Sequence, residues 1–344
     1  ITKKNTGIGV VSMDLMDSLS PSKTTRLIPQ DVGIRGDIYI PNNLSPGQGL
    51  ISHLRRLYWL QKVVPKIMNK LNAEYFLSPL LEAPLYTNVK SIVLAHDLIP
   101  LRYPSMSLLT LYHLTYIPLI LQQSKLILCN SISTANDLNR FYLVPRHKLF
   151  PIKLGFNNKK FYPLKIKRKN FFLIIGRHNP HKNLERVIKA FSFAKVNNYK
   201  LIFVGPFDKR YTPRLIKIIN ELNLRHLCIW KGWVDDNEKL LLLNQCHALI
   251  IASLWEGFGL PALEAMACGT PVIASERGAL PEVVGKYGYL VNPFDIQSIA
   301  FAINSVINDK RCFEKALQEG PSRAASFSWF DTARDIEKII QEID

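Results

Sequence analysis

The run Ser253-Leu254-Trp255-Glu256-Gly257-Phe258-Gly259-Leu260-Pro261-Ala262-Leu263-Glu264-Ala265-Met266-Ala267-Cys268-Gly269 decides how the rest of the chain is read. The apolar stretch Ala248–Ile251 ends just before it and predicts a strand. Pro261 suits the first turn of a helix and Gly269 its end. Between strand and helix, Gly257 and Gly259 let backbone N–H groups approach a ligand closely. The helix N-terminus adds unpaired N–H groups and the positive end of the peptide dipoles, which favour a phosphate. Glu256 falls on the loop and Glu264 on the helix, eight positions later. Two carboxylates would repel a phosphate but suit the hydroxyl groups of a sugar or ribose.

A second stretch of the same kind lies upstream. Gly176-Arg177-His178-Asn179-Pro180-His181-Lys182-Asn183 follows the apolar run Phe171–Ile175 and precedes a helical pattern over 184–195. Arg177 offers a planar fork for phosphate oxygens and Lys182 a point charge. Two cations beside a helix N-terminus match a diphosphate. A third candidate is His96, at the end of the apolar run Ser91–Ala95, and a fourth is the glycine turn Gly7-Ile8-Gly9 ahead of a helix over 10–19. His178, His181 and His247 read as structural, and Trp233 as a core residue with only its main chain available for function.

Short apolar runs alternate with helical patterns along the chain. Strands are predicted at 75–77, 91–95, 125–129 and 148–152, then at 171–175, 200–204, 227–230, 248–251, 271–274 and 289–291. Helices are predicted between them, including 52–71, with Pro65 interrupting it, and 108–123. Strands alternating with helices imply parallel sheets covered on both faces, with ligands beyond the carboxyl ends of the strands. Residues 155–170, with Asn157-Asn158-Lys159-Lys160, Pro163 and the basic run 165–169, read as a linker, and Ser328–Ile343 as a last helix. No strand precedes Gly7, so the first half reads as one strand short.

Composition agrees with two globular domains. The chain has 344 residues, 47% of them apolar, which excludes a disordered chain, a collagen and a coiled coil. No apolar run reaches the ~20 residues of a membrane span. Five scattered cysteines without metal-ligand spacing read as reduced thiols, and residues 1–5 do not read as a signal peptide. Forty-four Lys and Arg against 27 Asp and Glu give a net charge of +17, and residues 1–170 hold 23 of the cations and eight of the acids. That excess predicts an anionic partner. Over 53–71, Lys62, Arg55, Lys66, Lys70 and Arg56 fall on one helical arc with Trp59 among them, which reads either as the solvated cationic face of a buried helix or as a contact with an anionic membrane surface. Nucleic acid is not expected, because the cations are not interleaved with stacking aromatics.

The residues quoted carry a resemblance. Ser253–Gly269 resembles the E-x7-E element of family 4 glycosyltransferases, and 176–184, Lys231-Gly232-Trp233-Val234, 275–283 and 291–293 resemble its neighbouring elements. Residues 6–9, 96–103 and 130–138 fit the first half, so the likeness spans nearly the whole chain. It implies an α/β chain of GT-B fold: two doubly wound Rossmann-like domains facing across a cleft. The expected division is an acceptor domain over 1–160, a nucleotide-sugar domain over 161–325, and a helix over 326–344 crossing back to the first.

The resemblance also implies roles. Arg177 and Lys182 bind the donor diphosphate, with Gly7, Gly9 and Gly176 near the phosphates. Glu264 takes the ribose hydroxyls, and the main chain at Trp233 and Val234 holds the base. Glu256, Gly257, Phe258, Gly259 and Leu260 hold the sugar and a phosphate, and His96 contacts the sugar from the facing domain. The catalytic set is then His96, Glu256, Arg177 and Lys182, with no metal and no cofactor. The implied reaction is retaining transfer of a mannose-like or glucose-like hexose from a nucleoside diphosphate to a glycan or lipid-linked acceptor, in cell-surface polysaccharide synthesis. The implied place is the cytoplasm, peripheral on the inner face of the plasma membrane. The competing readings are a sugar-nucleotide epimerase and a catalytically impaired basic protein that binds membranes or polyanions.

Overall fold

A computed structural model of the chain describes residues 7–29, 37–44 and 50–342. The expectations for the segment before Gly7 fall outside these residues. The chain divides into two compact units, 1–156 with 327–344 and 157–326.

The first unit opens with α1 (Gly7–Ser18), β1 (Leu27–Pro29), β2 (Ile38–Ile40), α2 (Leu50–Lys62), α3 (Val64–Leu71), β3 (Tyr75–Ser78) and β4 (Lys90–Ala95). It continues with α4 (Ile99–Arg102), α5 (Leu108–Thr115), α6 (Ile117–Gln123), β5 (Leu126–Cys129), α7 (Ile132–Tyr142) and β6 (Leu149–Pro151). The second unit contains β7 (Phe171–Ile175), α8 (Leu184–Phe193), β8 (Lys200–Val204), α9 (Thr212–Glu221), β9 (Cys228–Gly232), α10 (Asp236–Gln245) and β10 (Ala248–Ile251). It ends with α11 (Leu260–Ala267), β11 (Val272–Ser275), α12 (Leu280–Val284), β12 (Tyr289–Val291), α13 (Ile296–Asn308) and α14 (Lys310–Ala325). The chain then returns to the first unit with α15 (Trp329–Glu342).

Among the described residues, the second unit forms one six-stranded sheet in the order β12-β11-β10-β7-β8-β9, every pair parallel. The central strands are apolar along their length: every residue of β10 and β11 is buried, and so are Phe171–Ile174. Such runs belong to a sheet covered on both faces by helices. Leu184, Val187, Ile188 and Phe191 of α8 supply one helical face of that core. The strand order reverses between β7 and β10, so the loops after these two strands open a crevice at the sheet's carboxyl edge. Among the described residues of the first unit, β3-β4-β5-β6 form a four-stranded parallel sheet, and β1 pairs with β2 separately. The α/β class with parallel sheets agrees with the sequence reading.

Several local expectations are corrected. Gly7-Ile8-Gly9 is not a turn before a helix; it is the first turn of α1. The pattern over 52–71 breaks at Val63, where Pro65 sits in the opening turn of α3. The pattern over 108–123 breaks at Tyr116, with Pro118 in the opening turn of α6. In both cases proline lacks the N–H that would continue the earlier helix. The two strands β1 and β2 escape pattern reading because three residues hold too little periodicity. The sequence reading assigns no helix over α13 or α14. The chain stays helical through Pro321, and a Cβ at Gly320 would come within 2.8 Å of the Met266 carbonyl oxygen, so the glycine serves close packing.

Residues 157–170 are no free linker. Arg168 donates to the carbonyls of Cys246 (2.9 Å) and Gly269 (2.5 Å) and to Thr270 Oγ1 (3.0 Å), which seats the segment on the second unit. Its cations therefore belong there. Residues 1–156 hold 17 cations and eight acids, and 327–344 hold two and five, so the first unit carries +6. The second unit, with the remaining 25 cations and 14 acids, carries +11. The expected concentration of charge in the first domain is thus corrected. The basic arc on 53–71 also loses Arg56, which is half-buried and bidentate on Glu82 (2.6 and 2.7 Å), and Trp59 packs against the Leu60, Val64 and Met68 cluster.

In the first unit the chain end returns at close quarters. A Cβ at Gly155 would lie 2.3 Å from the backbone nitrogen of Trp329, and Thr332 Oγ1 donates to the Lys153 carbonyl at 2.8 Å. Gly155→Ala should therefore overpack the junction and lower unfolding stability by about 1–3 kcal/mol, read from urea denaturation. A midpoint equal to that of the parent chain would contradict this packing.

Candidate functional site

The site grows from the ends of β7 and β10. Gly176 closes β7 with φ +146°, a conformation open to glycine. Its N–H donates to Val204 O at 2.9 Å, and the N–H of Gly205 donates to Gly232 O at 2.7 Å. A Cβ on Gly205 would meet the Gly176 carbonyl oxygen at 1.9 Å. The three glycines thus step across the carboxyl ends of β7, β8 and β9, and they lead from Arg177 to Trp233. Arg177 is exposed and forms no ion pair among the described residues. Trp233 is 58% exposed, which corrects its reading as a core residue, and Val234 is half-buried.

Asn183 joins the loops. It adopts φ +60°, which asparagine tolerates better than most residues, and it is buried. Its Nδ2 donates to Ala252 O at the end of β10 (2.9 Å) and to Pro293 O beyond β12 (2.6 Å). The N–H of Leu254 donates to His181 O at 2.7 Å, a second tie between the β7 and β10 loops. His181 is largely buried beside Lys182, and burial first, then that ammonium, pushes its imidazole down to about 4. It is neutral at physiological pH. His178 bonds Thr212 Oγ1 through Nδ1 at 2.7 Å, and His247 Nε2 lies 3.3 Å from Val306 O; both act in packing.

The side chains meet at the crevice lined by Gly176, Arg177, Lys182 and Ser253. Lys182 Nζ donates to both carboxylate oxygens of Glu256, at 2.6 and 2.9 Å, and Ser253 Oγ donates to Oε1 at 2.6 Å. Glu256 is buried. Its main chain is fixed as well: Ala279 N–H donates to Glu256 O at 3.0 Å, and a Cβ on Gly278 would lie 2.5 Å from that oxygen. Burial raises the Glu256 pKa, but Lys182 and the Ser253 hydroxyl outweigh it and hold the carboxyl below the ordinary range.

Gly257, Phe258 and Gly259 are buried in the loop that follows, and Leu260 opens α11. Gly259 takes φ +111°, and no side chain caps the helix start. Glu264, on the second turn of α11, accepts from Lys239 Nζ at 2.7 Å. Here burial prevails over the Lys239 charge, and the Glu264 pKa is raised. The sequence reading missed Lys239, Ser253 and Asn183 as site residues. Lys239 sits 25 positions before Glu264 on α10, and only packing of α10 beside α11 brings them together.

The structure therefore gathers Gly176, Arg177, Lys182, Glu256, Gly257, Phe258, Gly259, Leu260 and Glu264 in the second unit, with Trp233 and Val234 at the end of β9. His96, Gly7 and Gly9 belong to the first unit. His96 follows β4, with Nε2 2.8 Å from Pro79 O, and its carbonyl accepts from Asn130 Nδ2 at 2.7 Å. Burial lowers its pKa, so it is a neutral imidazole. Within the second unit, two loop-borne cations and two carboxylates of opposite pKa tendency can bind an anion and orient hydroxyl groups.

The comparisons with known proteins bear on this arrangement. The family model described as glycosyl transferases group 1 matches residues 156–324. The chain is similar to the O-antigen chain mannosyltransferase RfbU of Salmonella typhimurium, 31% identical over 281 residues, covering 78% of this chain and 76% of that one. It is similar to the serotype-specific mannosyltransferase WbdA of Escherichia coli, 30% identical over 167 residues, but covers 47% of itself and only 20% of WbdA. In three dimensions it resembles the GT-B enzyme sucrose-phosphate synthase of Thermosynechococcus elongatus, with TM-score 0.73 at 20% identity over 98% of this chain and 92% of that one.

The two carboxylates should titrate in opposite senses. Glu256, held low, adds stability at neutral pH that is lost as the pH falls through its folded value. Glu264, held high, carries a penalty at neutral pH that is relieved as the pH falls through its folded value. Carboxyl-resolved NMR titration should place Glu264 above and Glu256 below the ordinary glutamate range. Lys239→Met should move Glu264 further up and leave Glu256 in place; a downward move would refute the assigned cause.

Proposed function

The chain belongs to the glycosyl transferases group 1 family, and on that premise we propose that it is a retaining, metal-independent hexosyltransferase. The donor is a nucleoside-diphosphate hexose and the acceptor a glycan or lipid-linked glycan of a cell-surface polysaccharide. Mannose is the favoured sugar, because the relatives reported above are named mannosyltransferases. The observation that carries the reading is the meeting of Lys182 and Glu256 at the switch point, beside exposed Arg177 and an uncapped helix start.

In this reading the donor diphosphate lies against Arg177, Lys182, the Gly176 turn and the N–H groups opening α11. Those charges stabilise the leaving diphosphate as the glycosidic bond to the anomeric carbon breaks. Lys182 then turns from Glu256 towards the phosphate, and Glu256, still bonded to Ser253, accepts from sugar hydroxyls. Glu264 accepts from the ribose, and the main chain at Trp233 and Val234 borders the base. His96 offers its neutral ring to the sugar, and Gly7 and Gly9 lie by the phosphates. Attack comes from the face the diphosphate leaves, with a leaving-group oxygen taking the acceptor proton, so no side chain is assigned as base. The proposal keeps the expected cytoplasmic location, peripheral on the membrane; among the described residues, no helix is long and apolar enough to cross one.

Glu256→Gln keeps size and can keep the Ser253 bond but loses the ion pair with Lys182, so it should reach the parent's fold at lower stability and lose about 100-fold or more in transfer. Transfer would be followed as nucleoside diphosphate released from a panel of donor sugars with acceptor present. Undiminished turnover would overturn the site assignment, and conversion of the donor without acceptor would favour an epimerase.

A further inference from the structure

Glu264 ends a row of charges that crosses α10. Lys239 Nζ donates to Glu264 Oε1 at 2.7 Å and lies 3.7 Å from Asp236 Oδ1. Asp236 Oδ2 accepts in turn from Lys160 Nζ at 2.9 Å. Lys160, Asp236, Lys239 and Glu264 thus alternate in sign. The Lys239 ammonium also lies over the buried Phe161 ring, 4.6 Å from its centre. The chain beside Phe161 is fixed on α10: Asn244 Nδ2 donates to the Tyr162 carbonyl at 3.1 Å, and Asn244 Oδ1 accepts from the Leu164 N–H at 2.7 Å. Lys239 therefore has a set place between an aromatic face, a second acid and Glu264.

The contact is made to one oxygen. A lysine is a point charge and answers Oε1 alone, where the fork of an arginine would take both oxygens. Glu264 Oε2 bonds no described residue. The carboxylate is thus held and countered on one side and open on the other. A vicinal diol needs such a partner, because its hydroxyls donate and an ionised carboxylate only accepts. A protonated carboxyl would offer a donor and lose part of that capacity. Burial pushes Glu264 towards the protonated form, and the Lys239 charge is the strongest influence against it.

We propose that Lys239 is a positioning residue for the donor nucleotide: it holds Glu264 as an aimed, ionised acceptor and so makes the site select ribose over deoxyribose. The inference rests on the transferase reading, which sets the ribose at Glu264. Lys239 acts through that carboxylate, and Phe161 and Asp236 keep its ammonium in place.

The test is calorimetric titration of the full chain with UDP, GDP and ADP and with the deoxyribose form of each. The parent chain should bind one of the three diphosphates at least about tenfold more tightly than its deoxy form, because the latter lacks a hydrogen bond to a charged group. Lys239→Met should bind that ribonucleotide at least about fivefold less tightly and prefer it over the deoxy form by about threefold or less. Lys239→Gln keeps a donor without the charge; it should behave as Lys239→Met does, and it serves if the methionine variant fails to fold. The preference decides the matter, because a merely loosened site would weaken both ligands alike and leave their ratio unchanged. Protonation of the diphosphate cancels in the ratio as well. A folded variant that keeps the parent's preference would overturn the role of Lys239, and so would a parent that binds the two forms equally. A parent that binds none of the diphosphates would overturn the transferase reading and this inference with it.

Discussion

Lys182 and Glu256 come from loops 74 positions apart in sequence, and their ion pair is the constraint around which the second unit's site is arranged. A carboxylate as buried as Glu256 is costly unless a cation and a hydrogen-bond donor answer it. Lys182 and Ser253 answer it, and the backbone does the rest. Gly278 makes room for the Glu256 main chain, Ala279 bonds it, and Asn183 ties the two loops to the end of β12. The site is thus preorganised by groups that have no direct part in chemistry.

The pair also explains how one crevice can hold both a cation cluster and carboxylates. Lys182 is held by Glu256, and Lys239 by Glu264. The two carboxylates nevertheless differ. Glu256 has two donors and stays ionised readily; Glu264 has a hydrogen bond from Lys239, and burial outweighs it and raises the pKa. In the proposed function an incoming diphosphate competes for Lys182, and sugar hydroxyls take up the acceptor capacity released on Glu256.

Much of this was legible in the sequence. The six strands of the second unit were readable because parallel strands buried on both faces are nearly continuous apolar runs. The loops after β7 and β10 were readable because glycine, proline and charge cluster there. Reading failed where the cause lies outside the local window. β1 and β2 are too short to show a period. Arg56 looks like one of a row of surface cations, yet Glu82, far along the chain, draws it inward.

The sequence by itself determined the class of fold, the carboxyl-edge position of the candidate site and most of its residues. These follow from periodicity and from the few residue types that tolerate tight turns and bind anions. Only the tertiary structure decided which charges meet. Lys239 reaches Glu264, Arg168 seats the supposed linker on the second unit, and much of the net charge moves with it. Only the fold, too, showed that Leu108, Leu111 and Leu114 of α5 are exposed. Burial and pairing are properties of neighbours brought together in space, and an amphipathic pattern cannot say which of its faces the rest of the chain will cover.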